Sequence, residues 1–314
     1  MNIMEITDLY VGFPTKDGLV KAVNTIDLII EEGENIGILG ESGSGKSVFA
    51  DSILRLIKDQ TVTKGTVVYR GQNLMEMDKK ELRGLRGKEL GMIMQNPSSS
   101  LNPSLTIGNQ IGEAAAVHER INKKERNKKT LEILEKVRIK NAKQRMKEYA
   151  HQLSGGMKER AVIAMGIAQS PRFLIADEPT KGLDTLVKYK VVQLLKEVSE
   201  NKTMLLITHD LDVAEQICDR IGILYLGEFV EISAVDALYR TQLHPYTEGF
   251  FKAMPKNGML PIEGLPGSLI DLPEGCRFHP RCPKCMERCK KEHPPLYTKQ
   301  DGRKVRCFLY ADSE

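Results

Sequence analysis

One octapeptide narrows the folds open to this chain more than any other feature: Gly40-Glu41-Ser42-Gly43-Ser44-Gly45-Lys46-Ser47. It fits Gly-x-x-x-x-Gly-Lys-Ser/Thr, a pattern that needs a strand before it and a helix after it. Both flanks comply, since Ile36-Gly37-Ile38-Leu39 is an apolar run of strand length and Ser47 to Ile57 resumes with helical spacing. The glycines let backbone N–H groups wrap around phosphate oxygens, and the helix N-terminus adds a favourable dipole. Lys46 is placed to reach the β- and γ-phosphates, and the Ser47 hydroxyl to ligate Mg²⁺. Gly40, Ser42, Gly43, Ser44, Gly45, Lys46 and Ser47 are therefore the expected phosphate-binding set.

A magnesium–phosphate site also needs a carboxylate. Asp177 follows the apolar run Phe173-Leu174-Ile175-Ala176 and is suitably placed to hold the metal through water. Glu178 enters the same space and can polarise an attacking water, because phosphoryl transfer asks for a positioned nucleophile and compensated charge. A second apolar run, Met204-Leu205-Leu206-Ile207, also ends in polar residues, and both read as buried parallel strands whose C-terminal ends carry chemistry.

The remainder of the chain sets bounds. Its 314 residues and 41% hydrophobic content predict one large globular unit plus an appendage. A formal charge of +4 against 46 basic and 42 acidic side chains points away from a dedicated nucleic-acid binder. No apolar stretch approaches the about 18 residues of a membrane span, and MNIMEITDLYVGF lacks the features of a secretory signal, so a cytosolic protein is expected. Ile3 to Leu28 reads as short strands broken by Gly12, Pro14, Asp17 and Gly18. From His118 to His151, twelve Lys/Arg and five Asp/Glu accompany Leu131, Ile133, Leu134 and Val137 at helical spacing, which predicts a solvated helical insert. Beyond about Asp236 the composition turns to Pro, Cys and basic residues, and a boundary is placed there.

Leu153-Ser154-Gly155-Gly156-Met157, shortly before Asp177-Glu178, resembles the signature of ABC ATPases. The rest of that family's set matches in order over residues 1 to about 235: Gln95 in Met-Gln-Asn-Pro looks like the Q-loop, Leu183-Asp184 the end of the D-loop, and His209 in Ile-Thr-His-Asp the switch histidine. The resemblance implies an α/β fold with a P-loop NTPase (RecA-like) core, an antiparallel β subdomain and a helical signature subdomain at about 97–160. It implies ATP hydrolysis in a head-to-tail dimer, with Ser154, Gly155 and Gly156 serving the partner's nucleotide, His209 on the γ-phosphate, Asp184 coupling the two sites, and Gln95 both sensing nucleotide and joining the Mg²⁺ shell with Ser47 and Asp177. Phe13 aligns with the residue that stacks on adenine, with Tyr10 as the alternative. Met157 replaces the commoner Gln, and Lys181 and Gly182 stand where small residues are more usual.

The motifs His244-Pro245-Tyr246-Thr247, Leu265-Pro266-Gly267 and Leu272-Pro273-Glu274-Gly275-Cys276-Arg277-Phe278-His279-Pro280-Arg281-Cys282-Pro283 are similar to the extension of oligopeptide and dipeptide importer ATPases, found also in relatives that move nickel or metal chelates. The domains expected are thus a nucleotide-binding cassette at 1–235 and an extension at 236–314. Cys276, Cys282, Cys289 and Cys307 match four cysteines that hold a 4Fe-4S cluster in some members. Their separations of five, six and seventeen residues fit neither a zinc ribbon nor a ferredoxin run, so Zn²⁺, with Cys285 and His279 or His293, and a metal-free state stay open. Cys218 reads as a small core residue. The partners implied are a second, paralogous ABC ATPase subunit, two transmembrane permease subunits and an extracytoplasmic solute-binding protein, with the chain peripheral on the cytoplasmic face of the membrane and no nucleic acid. The alternative is a soluble, non-transport ABC ATPase; such relatives usually carry two cassettes in one chain or a long coiled-coil insertion, and this sequence shows one cassette and neither feature.

Overall fold

The computed structural model describes residues 1–57 and 61–311. They fall into two compact units: Met1–Glu31, Ile36–Met75 and Thr208–Glu314 form one, and Glu32–Asn35 with Glu76–Ile207 form the other. Residues past 236 thus share a unit with the phosphate loop.

In the first unit, alternating apolar residues build an antiparallel sheet in the order Gly18–Glu31, Asn2–Thr15, Val62–Tyr69, Gln72–Asn73. Met4, Ile6, Leu9 and Val11 bury one side of Asn2–Thr15, and Val23, Ile26, Leu28 and Ile30 that of Gly18–Glu31. The expected short strands are in fact two strands of 14 residues each. Register shifts between Ile6 and Leu9 and between Leu9 and Val11 absorb the irregular positions, so Gly12 stays in the ladder opposite Lys21. Pro14 lies at the exposed hairpin end, where its missing N–H costs little.

The same unit pairs Ile36–Leu39 in parallel with Arg220–Tyr225, and then adds Glu228–Ala234, Lys304–Val305 and Tyr297–Thr298 in antiparallel succession. Val305, Leu243 and Cys307 form a small buried cluster covered by Tyr310. Glu231, fully buried, accepts from the backbone N–H groups of Leu243 and His244 at 2.9 to 3.1 Å, and burial raises its pKa. His244 caps the helix Pro245–Lys252 by accepting from the Tyr246 N–H at 3.0 Å through Nδ1. Burial drives the His244 imidazole down to about 3, which keeps that acceptor neutral.

The second unit holds three parallel strands, Thr203–Ile207, Phe173–Asp177 and Leu90–Ile93, whose near-continuous apolar runs are buried. Helices Pro97–Ser100, Ile107–Ala116, Lys123–Lys136 and Ala142–Arg145 precede the helix Gly155–Gly166. The charged insert is helical as expected and opens on a capping box between Asn122 and Glu125. Its buried stripe is Thr130, Leu134 and Val137, with Leu131 and Ile133 only half-buried. Thr130 joins the stripe because its hydroxyl donates to the Arg126 carbonyl at 2.8 Å and so carries no unmet polarity inward. An α/β fold with an antiparallel β subdomain and a helical segment ahead of the signature is what the sequence resemblance implied. Among the described residues, no helix is long and apolar enough to cross a membrane.

Candidate nucleotide site

The loop Gly40–Ser47 joins the strand Asn35–Leu39 to the helix Lys46–Ile53. Two positions can only be glycine. A Cβ on Gly40, at φ +156°, would stand 2.2 Å from the Leu224 carbonyl oxygen, and one on Gly45, at φ +103°, 2.1 Å from that of Ala22. Gly45 is the N-cap and offers no side chain to the first helical amides, which stay available to an anion. Lys46, 7% exposed, donates to the carbonyls of Gly40 and Glu41, both at 2.8 Å. Phosphate oxygens are the stronger acceptors for such an ammonium. Ser44 Oγ is buried in the cradle with no hydrogen-bond partner, a donor of the kind a phosphate would satisfy. The donor set therefore fits the phosphates of a nucleoside triphosphate.

His209 is exposed, two residues beyond Thr203–Ile207. Thr208 donates to the Ile38 carbonyl at 3.2 Å, and Asp210 caps the helix Leu211–Ile217. Phe13 is half-buried beside Val20 near the hairpin end. Tyr10 instead lines a separate groove of about 500 Å³ with Leu19, Val62 and Lys64.

In the second unit, Ile93 pairs with Ala176 and Asp177 with Ile207, so Gln95 and the Asp177-Glu178 pair leave the same end of neighbouring parallel strands. Asp177 and Glu178 are 4% and 5% exposed. Glu178 takes φ 49°, a left-handed backbone that a non-glycine residue adopts only at a cost of about 1 to 3 kcal/mol, and its N–H is held by the Ile207 carbonyl at 2.9 Å.

Ser154 is the N-cap of Gly155–Gly166, yet its hydroxyl makes no capping bond and faces outward with Gly155. Gly156 is different: a Cβ there would lie 2.7 Å from Cγ1 of Val187. Val187 belongs to the helix Thr185–Ser199, which Asp184 caps by accepting the Val187 N–H at 3.0 Å. The signature and the D-loop are thereby packed together. Lys181 and Gly182 are exposed, so neither unusual residue disturbs that contact. Glu159, three residues further along the signature helix, is 1% exposed, and desolvation pushes its carboxyl up to about 8.

Cys276, Cys289 and Cys307 are buried and Cys282 is half-buried. Burial raises Cys276 to about 12 and Cys307 to about 11, and neighbouring thiols push in the same direction, Cys289 foremost at Cys276 and Cys282 at Cys307. The Cys276 N–H donates to the Cys289 carbonyl at 2.9 Å. Among the described residues no three His, Cys, Asp or Glu side chains are set to hold one metal ion. His293 is engaged by the Glu228 carboxylate at 2.8 Å, and His279 Nδ1 lies 3.0 Å from the Cys276 carbonyl. Cys218 is buried, with Sγ packed behind Gly37, the core position expected.

Two contacts at the loop were not legible in the sequence. Glu41 donates its N–H to the Tyr246 hydroxyl at 3.0 Å, and its carboxylate meets Arg281 Nη1 and Nη2 at 3.0 and 3.2 Å. Both partners stand within motifs that the extension's resemblance had singled out only as family markers.

Residues 23–181, just over half of the chain, match the family described as ABC transporter, and residues 230–289 match the oligopeptide/dipeptide transporter C-terminal region. The chain is 40% identical over 319 residues to the oligopeptide transport ATP-binding protein AppD of Bacillus subtilis, covering 99% of this chain and 97% of that one. It is 39% identical to the dipeptide transport ATP-binding protein DppD of Bacillus subtilis, with 98% and 94% covered, and 38% identical to OppD of Salmonella typhimurium, with 98% and 93% covered. A dimeric bacterial ABC transporter cassette, solved also in a post-hydrolysis state with ADP and Pi, superposes with TM-score 0.67 at 30% identity, covering 74% of this chain and 98% of that one. With its phosphate loop, signature helix and carboxylate pair all in family order, the chain belongs to the ABC transporter ATP-binding proteins, and its C-terminal part to the oligopeptide/dipeptide branch.

Proposed function

We propose that this chain is the ATP-hydrolysing motor subunit of an importer for oligopeptides or dipeptides, working as a cassette at 1–235 with an extension at 236–314. The observation that carries the reading is the phosphate cradle itself, in which buried Lys46 rests on two carbonyls and Ser44 keeps an unmet hydroxyl. The peptide class comes from the extension and from relatives whose names are those of peptide transport proteins. Lys46 transfers its hydrogen bonds to the β- and γ-phosphates as ATP enters. Gly40, Ser42, Gly43, Ser44 and Gly45 supply the surrounding loop, and Phe13 stacks on adenine. Ser47, Gln95 and Asp177 would hold Mg²⁺, which neutralises charge on the phosphates. Glu178 polarises the attacking water, and His209 hydrogen-bonds the γ-phosphate.

Ser154, Gly155 and Gly156 act on the nucleotide of a second ATPase subunit, a role that suits the outward exposure of Ser154 and Gly155, while Asp184 links the two sites. Closure on ATP and reopening after phosphate release drive two membrane permease subunits that receive solute from an extracytoplasmic binding protein, with this chain on the cytoplasmic face. A 4Fe-4S cluster on Cys276, Cys282, Cys289 and Cys307 is compatible with the absence of a single-ion site, because each thiolate would bind a different iron; its chemistry would be structural or redox.

The test is Mg²⁺-ATPase activity of the full chain with and without its membrane partners. Glu178→Gln is expected to keep ATP binding and lose about 10²- to 10⁴-fold in turnover. Near-normal turnover in that variant would remove Glu178 from its role.

A further inference from the structure

Glu41 is the one non-glycine, non-serine residue between Gly40 and Lys46, and it is held at three points. Its carbonyl accepts from Lys46 at 2.8 Å and from the Ser44 N–H at 3.2 Å. Its N–H and its carboxylate are both taken by the far end of the chain, through Tyr246 and Arg281. Neither of those partners is loose. Tyr246 is fully buried among Tyr225, Phe250 and Phe278. The Arg281 side chain is 5% exposed, donates to the carbonyls of Glu263 and Ile262 at 3.1 and 3.4 Å, and lies about 6 Å from the ring centres of Tyr225 and Phe278 (6.0 and 5.9 Å).

A glycine-rich loop has much backbone freedom to lose when it closes on phosphate, and any part of that loss already met by the fold improves affinity. We infer that the Arg281–Glu41 ion pair, backed by Tyr246, is a positioning device by which the C-terminal extension holds the phosphate loop open and so sets the affinity for ATP. The fork geometry matters, because a planar guanidinium fixes both carboxylate oxygens and an ammonium fixes only a point. Arg281 acts through Glu41 and touches no reacting atom. The water-activating side chain lies elsewhere in the sequence, so the ion pair governs binding and leaves the chemical step alone. The inference rests on the ATPase reading above.

Equilibrium titration of the full chain with a fluorescent ATP analogue and Mg²⁺ tests it, beside steady-state ATPase assays of the assembled transporter. Arg281→Ala is expected to weaken binding about tenfold, and Arg281→Lys to recover part of that loss. The KM for ATP should rise in step while kcat stays within about twofold. Glu41→Gln preserves shape on a side chain that is partly exposed, and should weaken binding similarly; the double variant should be no worse than either single one. Unchanged affinity in Arg281→Ala or Glu41→Gln, or independent addition in the double variant, overturns the inference even if thermal stability falls. Wild-type chain that fails to bind the analogue overturns the ATPase reading with it.

Discussion

At the scale of single residues, the phosphate site is built from constraints that substitution should expose. Gly45→Ala would force a methyl group to 2.1 Å from the Ala22 carbonyl in a backbone region that L residues avoid. Its expected outcome is loss of nucleotide binding together with destabilisation on the order of 2 kcal/mol or more, read from denaturant midpoints. Glu159 offers a pH signature. Its folded-state carboxyl titrates near 8, above the ordinary value of 4.5, so the folded state retains a proton that the unfolded chain has released. The resulting stabilisation is full below about pH 4.5 and is lost as pH rises to 8, at about 1.4 kcal/mol per unit within that window. Glu159→Gln should flatten that slope in thermal melts taken from pH 5.5 to 8; an unchanged slope would assign it to other groups. The loop was readable from sequence because its motif is local and its glycines have one geometric use. The Glu41 contacts were not, because 205 residues separate it from Tyr246 and 240 from Arg281, and no local pattern encodes a pairing at that distance.

Among the elements, the contact between the signature helix Gly155–Gly166 and the helix Thr185–Ser199 is where packing meets the proposed catalytic cycle. Gly156→Ala would drive Cβ into Val187 and displace one helix from the other. ATP binding by the isolated chain should survive, while turnover of the assembled transporter falls on the order of tenfold, a barrier change of about 1.4 kcal/mol. The parallel strands were plain in the sequence, since strands buried on both faces read as unbroken apolar runs. The N-terminal strands were harder. Gly12 and Pro14 are turn residues by type, and only register shifts and a place at the hairpin end let them remain within a ladder. The charged helix showed its existence but not its buried face, because Thr130 hides its polarity on its own backbone.

For the whole molecule, the Cys-rich extension was legible as a compositional change, but its integration was not. Lys304–Val305 completes a sheet edge beside Glu228–Ala234, and Val305 and Cys307 close a buried cluster with Leu243. A chain ending near residue 294 should therefore lose solubility or melt several degrees lower, measured by scanning calorimetry, because it leaves that edge and cluster uncovered. Anaerobically purified protein should carry iron and sulfide in cluster proportion, and Cys289→Ser should lose both; zinc without sulfide would reject the cluster. The division of the chain also bears on its synthesis. The unit made mostly of Glu76–Ile207 draws on one nearly continuous stretch, whereas the unit holding the phosphate loop begins with Met1 and needs residues past 300. On a ribosome the phosphate loop thus emerges well before Tyr246 and Arg281, which lie 205 and 240 residues after Glu41, so those contacts to the loop can close only late in synthesis.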